Sequence, residues 1–101
     1  MKQDTEKTIV VFRKWRKGYQ ISTLCDIIAL FPTLEGRAPH HCQSFEHVGQ
    51  HGSADYQHCI RNTRPATPEE YEATRKELEG QYGYNLEIRE RFRFKPFPVK
   101  A

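Results

Sequence analysis

Residues Thr67–Glu70 carry three signals of a helix start within four positions. Thr67 offers an N-cap hydroxyl, Pro68 suits the first helical turn, and Glu70 stands three residues after the cap, where its carboxylate completes a capping box. The residues that follow place one stripe at helical spacing: Tyr71, Thr74 or Arg75, Leu78 and Tyr82. The sequence therefore predicts one amphipathic helix that ends at Gly80 or Gly83, because glycine adopts the left-handed C-terminal conformation at little cost.

The chain before this helix has the composition of β-strands. Thr8–Trp15 is β-branched and aromatic, and Asp26–Phe31 is apolar up to Pro32, which should stop the strand. Glycine and proline mark Leu34–Pro39 as a loop. These features predict two neighbouring antiparallel strands followed by a loop.

A β-hairpin is predicted next. Cys42–His47 and Asp55–Arg61 have strand character, and Gly49–Ser53 between them is rich in turn residues. Symmetric folding about Gln50 and His51 gives three facing pairs: Cys42 with Cys59, Phe45 with Tyr56, and His47 with Ala54. A longer or bulged turn would shift this register.

The stretch after Gly83 alternates in polarity, as a half-buried strand does. Its apolar positions are Leu86, Ile88, Phe92 and Phe94. Its other face carries Glu87, Arg89, Arg91, Arg93 and Lys95. Pro96 and Pro98 should end strand pairing, because proline cannot donate to the ladder. We therefore expect a final strand whose apolar side packs on the helix and whose cationic side faces outward.

Together these elements predict an α+β fold with the order β-β-β-β-α-β, in which a mostly antiparallel, twisted sheet of about five strands carries one helix on one face. The chain of 101 residues suits one domain with a single core. We expect that domain to span residues 1–101, with a frayed N-terminus over 1–7 and a short tail over 96–101.

Several sequence features indicate a cytosolic protein. The longest apolar run, Ile27–Phe31, is far shorter than the roughly 20 residues that span a bilayer, so no membrane partner is expected. The start of the chain is polar and of mixed charge, unlike a signal peptide. The chain has three cysteines, Cys25, Cys42 and Cys59. An odd and small number of cysteines is untypical of a secreted disulfide scaffold, and a reducing compartment would keep them as thiols.

All five histidines fall between positions 40 and 59, close to two cysteines and two acidic residues. The candidate metal ligands in this hairpin are Cys42, His47, His51, His58 and Cys59, with Asp55 as a possible oxygen donor. Zinc or another transition metal is therefore conceivable, but standard ligand spacings are missing and the favoured expectation is no cofactor. The contrasting interpretation is that these histidines are surface and turn residues with local hydrogen bonds.

A hydrolytic site is a second hypothesis for the same hairpin. Its candidate catalytic residues are His47, His51, Asp55 and Tyr56, and a thiolate pair of Cys42 or Cys59 with a histidine is an alternative. Nothing in the sequence announces an oxyanion site or a nucleophile elbow. The favoured interpretation is that these polar residues hold a tight loop, and that the protein is not an enzyme.

The basic residues supply a third hypothesis. The candidate binding residues are Arg13, Trp15, Arg89, Arg91, Arg93 and Lys95, which adjoin one another if the terminal strands are neighbours. Such a strip could bind nucleic-acid phosphates with aromatic stacking, or could form a protein interface or a homodimer contact. A solvated sheet face with paired arginines is the alternative. The net charge of +3 is mild for a dedicated nucleic-acid binder.

Three stretches also carry a family resemblance: Glu46–Tyr56, Arg64–Tyr71 and Gly83–Leu86. In these stretches the chain resembles a family of small uncharacterised bacterial proteins, and the similarity covers most of the chain after Thr8. The resemblance implies a bacterial cytosolic protein with the hairpin, the helix and the final strand, and it brings no activity or cofactor. The leading hypothesis from the sequence is a non-enzymatic binding or accessory module that recognises a protein or nucleic acid. The alternative is a metal-binding or small hydrolytic protein centred on hairpin 40–59.

Overall fold

The computed structural model describes residues 7–16, 26–46 and 50–98, and the expected α+β class is confirmed. The elements are β1 (Thr8–Trp15), β2 (Ile27–Glu35), β3 (His41–Glu46), β4 (Gln50–Asp55), α1 (Tyr56–Arg61), β5 (Thr63–Pro65), α2 (Pro68–Gln81) and β6 (Leu86–Ile88). The six strands form one sheet in the order β4-β3-β2-β1-β5, with β6 also beside β1. The short helix α1 and the short strand β5 are additions to the predicted order.

One edge of β1 is shared by two strands. Strand β6 pairs in parallel with Thr8–Val10, and β5 pairs antiparallel with Arg13–Trp15. At the boundary, the Arg89 backbone N–H donates to the Val10 carbonyl at 2.9 Å, and the Ala66 N–H donates to the Phe12 carbonyl at 3.1 Å. Because β5 already occupies the rest of this edge, β6 cannot continue along it and ends after three residues.

The sheet is covered on both faces, since alternate residues of its strands enter two different cores. One core is covered by α2 and contains Val10, Phe12, Ile27, Ala29, Phe31, Phe45, Leu78 and Leu86. The other is covered by α1 and the C-terminal segment and contains Val11, Ile28, Leu30, Cys42, Tyr56, Cys59 and Phe94. Central strand β2 is therefore continuously apolar from Ile27 to Phe31, as expected for a strand with two buried faces.

The sequence predicts that strand β2 stops at Pro32, but the strand runs on to Glu35. Its register against β3 shifts between Phe31 and Glu35, so the proline lies where the ladder is interrupted. A bulge accommodates proline because the missing N–H has no ladder partner to lose. The predicted loop Leu34–Pro39 accordingly begins later, at Gly36, where a Cβ atom would come within 2.8 Å of the Ser53 hydroxyl.

The predicted hairpin register is wrong. Cys42 faces Ala54 and Phe45 faces His51 across the β3–β4 ladder, and residue 47 lies outside the described residues. Gly49–Ser53 is not turn throughout, because residues from Gln50 onward belong to β4. Asp55–Arg61 is not a strand, since Asp55 accepts a hydrogen bond from the His58 N–H and so begins α1. The apolar residues after this cap follow helical rather than alternating spacing.

The capping box predicted for α2 is confirmed. Thr67 accepts from the Glu70 N–H, and the Glu70 carboxylate accepts from the Thr67 N–H at 2.9 Å. The same carboxylate forms a two-point ion pair with Arg64 in β5, with N–O distances of 2.9 and 2.6 Å. The helix runs past Gly80 to Gln81, and Gly83 then takes the left-handed conformation with φ of 74°. Neither helix in the described part of the chain has the length and apolar character to cross a membrane.

The C-terminal stretch does not form the long strand that its alternation predicted. Leu86 packs in the core beneath α2, whereas Phe94 packs in the core on the opposite face of the sheet, with Phe92 and Phe97 against it. The chain therefore crosses the sheet edge after Ile88. The predicted tail is also anchored in part, because the Phe97 N–H donates to the Pro39 carbonyl at 2.8 Å. The prediction of a frayed N-terminus falls largely on residues 1–6, outside the described residues.

Phe94 should contribute strongly to stability, because its ring is buried and stacks on Tyr56 at 4.8 Å between centroids. We expect Phe94→Ala to lower the free energy of unfolding by about 3 kcal/mol, as large-to-small core substitutions do. Lys95→Ala, at the exposed neighbouring position, should change it by less than about 0.5 kcal/mol. Urea denaturation of both variants measures this, and equal effects would show that the segment does not cover a core.

Glu70 should make the protein sensitive to acid. Its hydrogen bonds from Arg64, followed by the Thr67 N–H, lower its pKa from 4.5 to about 2. A carboxyl whose pKa is lower in the folded state stabilises the fold above its unfolded value and loses that contribution as pH falls toward the folded value. Between about pH 4.5 and pH 2, the free energy of unfolding should therefore fall less for Glu70→Gln than for the wild type.

Glu69→Gln provides the matched control for this measurement, because Glu69 is an exposed acid in the same helical turn. Its denaturation midpoint should follow that of the wild type through the acid range. Identical acid profiles for Glu70→Gln and the wild type would contradict the role given to the Arg64–Glu70 pair.

Candidate functional site

Three of the predicted binding residues meet at one cavity. The cavity has a volume of about 330 Å³ and lies where α1 meets the C-terminal segment, on the face opposite α2. Arg13, Arg91 and Arg93 line it, and we call it the arginine pocket. Its remaining walls come from α1 and from the segment 90–94.

Arg13 lies at the buried side of this pocket, which corrects the expectation that it is part of an exposed strip. Only 8% of the residue is exposed. Its Nε donates to the Thr63 hydroxyl at 2.8 Å, and its Nη2 donates to the carbonyls of Ile60 and Thr63 at 3.1 and 2.9 Å. Burial is the main cause of a lowered pKa for Arg13, although arginine keeps its charge in proteins.

The position of Arg13 follows from the local fold. Strand β5 pairs with the second half of β1, which brings Thr63 beside Arg13. The Thr63 hydroxyl also donates to the Cys59 carbonyl at 2.6 Å, so one buried hydroxyl joins the arginine to the end of α1. The hydrogen-bond partners of Arg13 are neutral oxygens. Within the described part of the chain they accept from Nε and Nη2, so Nη1 can still donate to a ligand.

The outer wall of the pocket carries both signs of charge. Arg91 and Arg93 are exposed, and Glu90 also lines the cavity. With Arg13, the lining has three cations and one acid, which is a net charge of +2. The pocket is therefore electropositive, with its most deeply buried charge supplied by Arg13.

Apolar side chains form much of the inner surface. Ile60 from α1 and Phe92 and Phe94 from the C-terminal segment line the cavity. The Tyr56 ring stacks on Phe94, and its hydroxyl donates to the Phe92 carbonyl at 3.2 Å. Burial, with a smaller contribution from Cys42, raises the pKa of Tyr56 to about 12. The hydroxyl therefore stays protonated and holds the C-terminal segment to α1 through its bond to the Phe92 carbonyl.

The other predicted binding residues lie elsewhere. The Trp15 indole N–H donates to the Glu46 carboxylate at 2.8 Å, and burial raises the pKa of Glu46 despite this bond. Arg89 donates to Glu87 at 2.7 Å and lines a second cavity, of about 400 Å³, beside the start of α2. Lys95 is exposed and is not part of the arginine pocket lining.

The candidate catalytic residues of the hairpin are dispersed. His51 contacts the Tyr84 hydroxyl at 3.0 Å and packs against Phe45 in the core beneath α2. Asp55 caps α1, and four residues of strand, about 13 Å, separate it from His51. Tyr56 lies in the core on the opposite face. His51, Asp55 and Tyr56 therefore do not form one site, and His47 lies outside the described residues.

Two of the candidate metal ligands, Cys42 and Cys59, share one core, and His51 and His58 are not part of it. Cys42 and Cys59 are buried thiols in the core opposite α2, whereas His58 is exposed and contacts Asn62. Across residues 7–16, 26–46 and 50–98, no group of three histidine, cysteine or acidic side chains is placed to hold a metal ion. The two thiols are packed in a core, and His51 and His58 each contact a neighbouring polar side chain.

Sequence reasoning missed the partners that complete the arginine pocket. Gln57 and Ile60 come from α1, where the sequence predicts a strand. Phe92 packs on the face opposite to the one that its alternation predicts. The spacing of Tyr56, Cys59 and Ile60 at three and four residues was a readable helix signal after an Asp cap. The crossing of the sheet edge had no comparable local signal.

Comparison of this chain with protein-family models, with curated proteins and with solved structures finds no significant match.

The buried thiols should be unreactive in the native protein. Burial raises the pKa of Cys42 and of Cys59 to about 12 each, so little thiolate is present near neutral pH. In a Cys25→Ser background at pH 8, we expect a disulfide reagent to label neither thiol over a time in which free cysteine reacts fully. Both should react in urea, and rapid native labelling of one thiol would contradict the placement of that residue.

Proposed function

We propose that this chain is a small, non-enzymatic binding module that recognises an anionic group of a partner through the arginine pocket. The observation that carries the proposal is the buried Arg13 guanidinium, which lines a cavity and is hydrogen-bonded to neutral oxygens. The proposal keeps the location expected from the sequence, the bacterial cytosol, where Cys42 and Cys59 would remain thiols.

A buried cation of this kind favours an anionic ligand. Removing a charged group from water is unfavourable, and neutral hydrogen-bond acceptors offset only part of that cost. An anion that enters the cavity would gain a charge-assisted hydrogen bond in surroundings where water screens the attraction weakly. The burial of Arg13 therefore supports a binding role that a solvated surface arginine would not have.

The exposed arginines would help to attract and retain the anion. Arg91 and Arg93 are on the outer wall of the same pocket, and their exposed side chains can turn toward a ligand. Charges at the rim of a site mainly steer association and make it sensitive to salt. Binding should therefore weaken as ionic strength rises.

The proposed surface differs from the open sheet face expected from the sequence. That face is covered by α1 and by the segment around Phe94. A cavity is accessible at the junction of these two covering elements, so a protein or nucleic-acid partner would be recognised through a protruding anionic group. The proposal needs no catalytic group, and the raised pKa values of Tyr56, Cys42 and Cys59 are compatible with that.

The proposal is tested by titrating isotopically labelled protein with anions at low salt and following backbone amide NMR shifts. The probes are acetate, inorganic phosphate, a short oligonucleotide and peptides that end in a free carboxylate. At least one probe should shift the amides of residues 57–60 and 90–94 saturably. Added sodium chloride should reverse that shift.

Arg93→Gln should weaken the binding of that probe about five-fold, as loss of about 1 kcal/mol from an exposed charge predicts. Lys95→Gln is the matched control, because it removes a cation two residues away that is not part of the pocket lining. If no probe shifts the pocket amides, or if both variants bind equally, the proposed function is wrong.

A further inference from the structure

The size of the arginine pocket limits what can enter it. Its volume is about 330 Å³. This is near the lower end of the range for small-ligand sites. The cavity can therefore hold one compact group, such as the end of a chain, rather than a continuous stretch of polymer backbone.

The apolar walls show what such a group should carry besides charge. Ile60, Phe92 and Phe94 line the cavity together with the ring of Tyr56. An entering group gains free energy from these walls only if it presents apolar or aromatic surface to them. A small hydrated anion alone would leave those walls without a partner.

The donors left on Arg13 and the apolar walls favour a single negative charge on the ligand. Arg13 uses Nε and Nη2 for hydrogen bonds to Thr63 and Ile60, so among the described residues Nη1 is the guanidinium nitrogen left to contact a ligand, and a two-point contact is not available. The apolar walls Ile60, Phe92 and Phe94 also disfavour a dianion, because removing two charges from water costs more free energy than removing one. A carboxylate meets these conditions better than a phosphate dianion.

We infer that the ligand of the arginine pocket is a carboxylate attached to an apolar or aromatic group, with the carboxylate at Arg13 and the apolar group against Ile60, Phe92 and Phe94. This inference rests on the proposed function. The C-terminal residue of a peptide that ends in an apolar side chain has this chemistry, and so does a small free aromatic acid.

The test compares matched probes in the same NMR titration. N-acetyl-phenylalanine should bind at residues 57–60 and 90–94, and its amide should bind at least about ten-fold more weakly, because the charge-assisted hydrogen bond is lost. Acetate should also bind about ten-fold more weakly, because it lacks the apolar group. A tetrapeptide ending in phenylalanine that binds more tightly than phenylacetate identifies a peptide C-terminus as the source, and the reverse order identifies a free acid.

Gln57 lines the pocket and is an exposed helix residue, so a substitution there should not disturb folding. Gln57→Glu should weaken N-acetyl-phenylalanine binding at least about ten-fold by placing a second carboxylate at the site. Lys95→Gln is the matched control, because it lowers the net charge by the same one unit at an exposed residue outside the pocket lining, and it should retain binding within about three-fold.

The two proposals fail in different ways. If phosphate or the oligonucleotide shifts the pocket amides and N-acetyl-phenylalanine does not, the inferred ligand class is overturned and the proposed anion-binding function stands. If N-acetyl-phenylalanine binds with equal affinity to the wild type and Gln57→Glu, the inferred location is overturned. If no anion shifts the pocket amides, both proposals are overturned.

Discussion

The rest of this structure depends on the division of one edge of β1 between two strands. Strand β6 takes the edge at Thr8–Val10, and β5 takes it at Arg13–Trp15. Backbone N–H and C=O groups on one edge can pair with only one neighbour at a time. The chain after Ile88 therefore leaves the sheet and crosses to its other face.

That crossing builds the second core and the candidate site together. Phe94 reaches Tyr56 of α1, and the two aromatic rings close the core on the face opposite α2. Strand β5 meanwhile places Thr63 beside Arg13, which keeps the guanidinium buried and hydrogen-bonded. A continuous β6 would have left Arg91 and Arg93 on a flat strand. Because the chain crosses the sheet edge instead, both side chains line one cavity together with Arg13.

The histidine-rich hairpin shows why closeness in sequence does not make a site. His51 packs toward the α2 face beside Phe45, whereas Cys42 and Tyr56 face the opposite core. Asp55 has a structural role, because its side chain begins α1. Strand alternation and helix capping thus separate residues that the chain places within twenty positions of one another.

The elements with local signals can be predicted from the amino-acid sequence. The capping box at Thr67 and Glu70 identified α2, and the β-branched run Thr8–Trp15 identified β1. The sequence also identified Arg13, Arg91 and Arg93 as binding candidates, although as an exposed strip. The crossing of Phe94 to the opposite face and the burial of Arg13 beside a cavity emerge from the packing of distant segments. These outcomes depend on competition between β5 and β6 for hydrogen bonds on β1, and no local pattern of side chains records which strand prevails at each position.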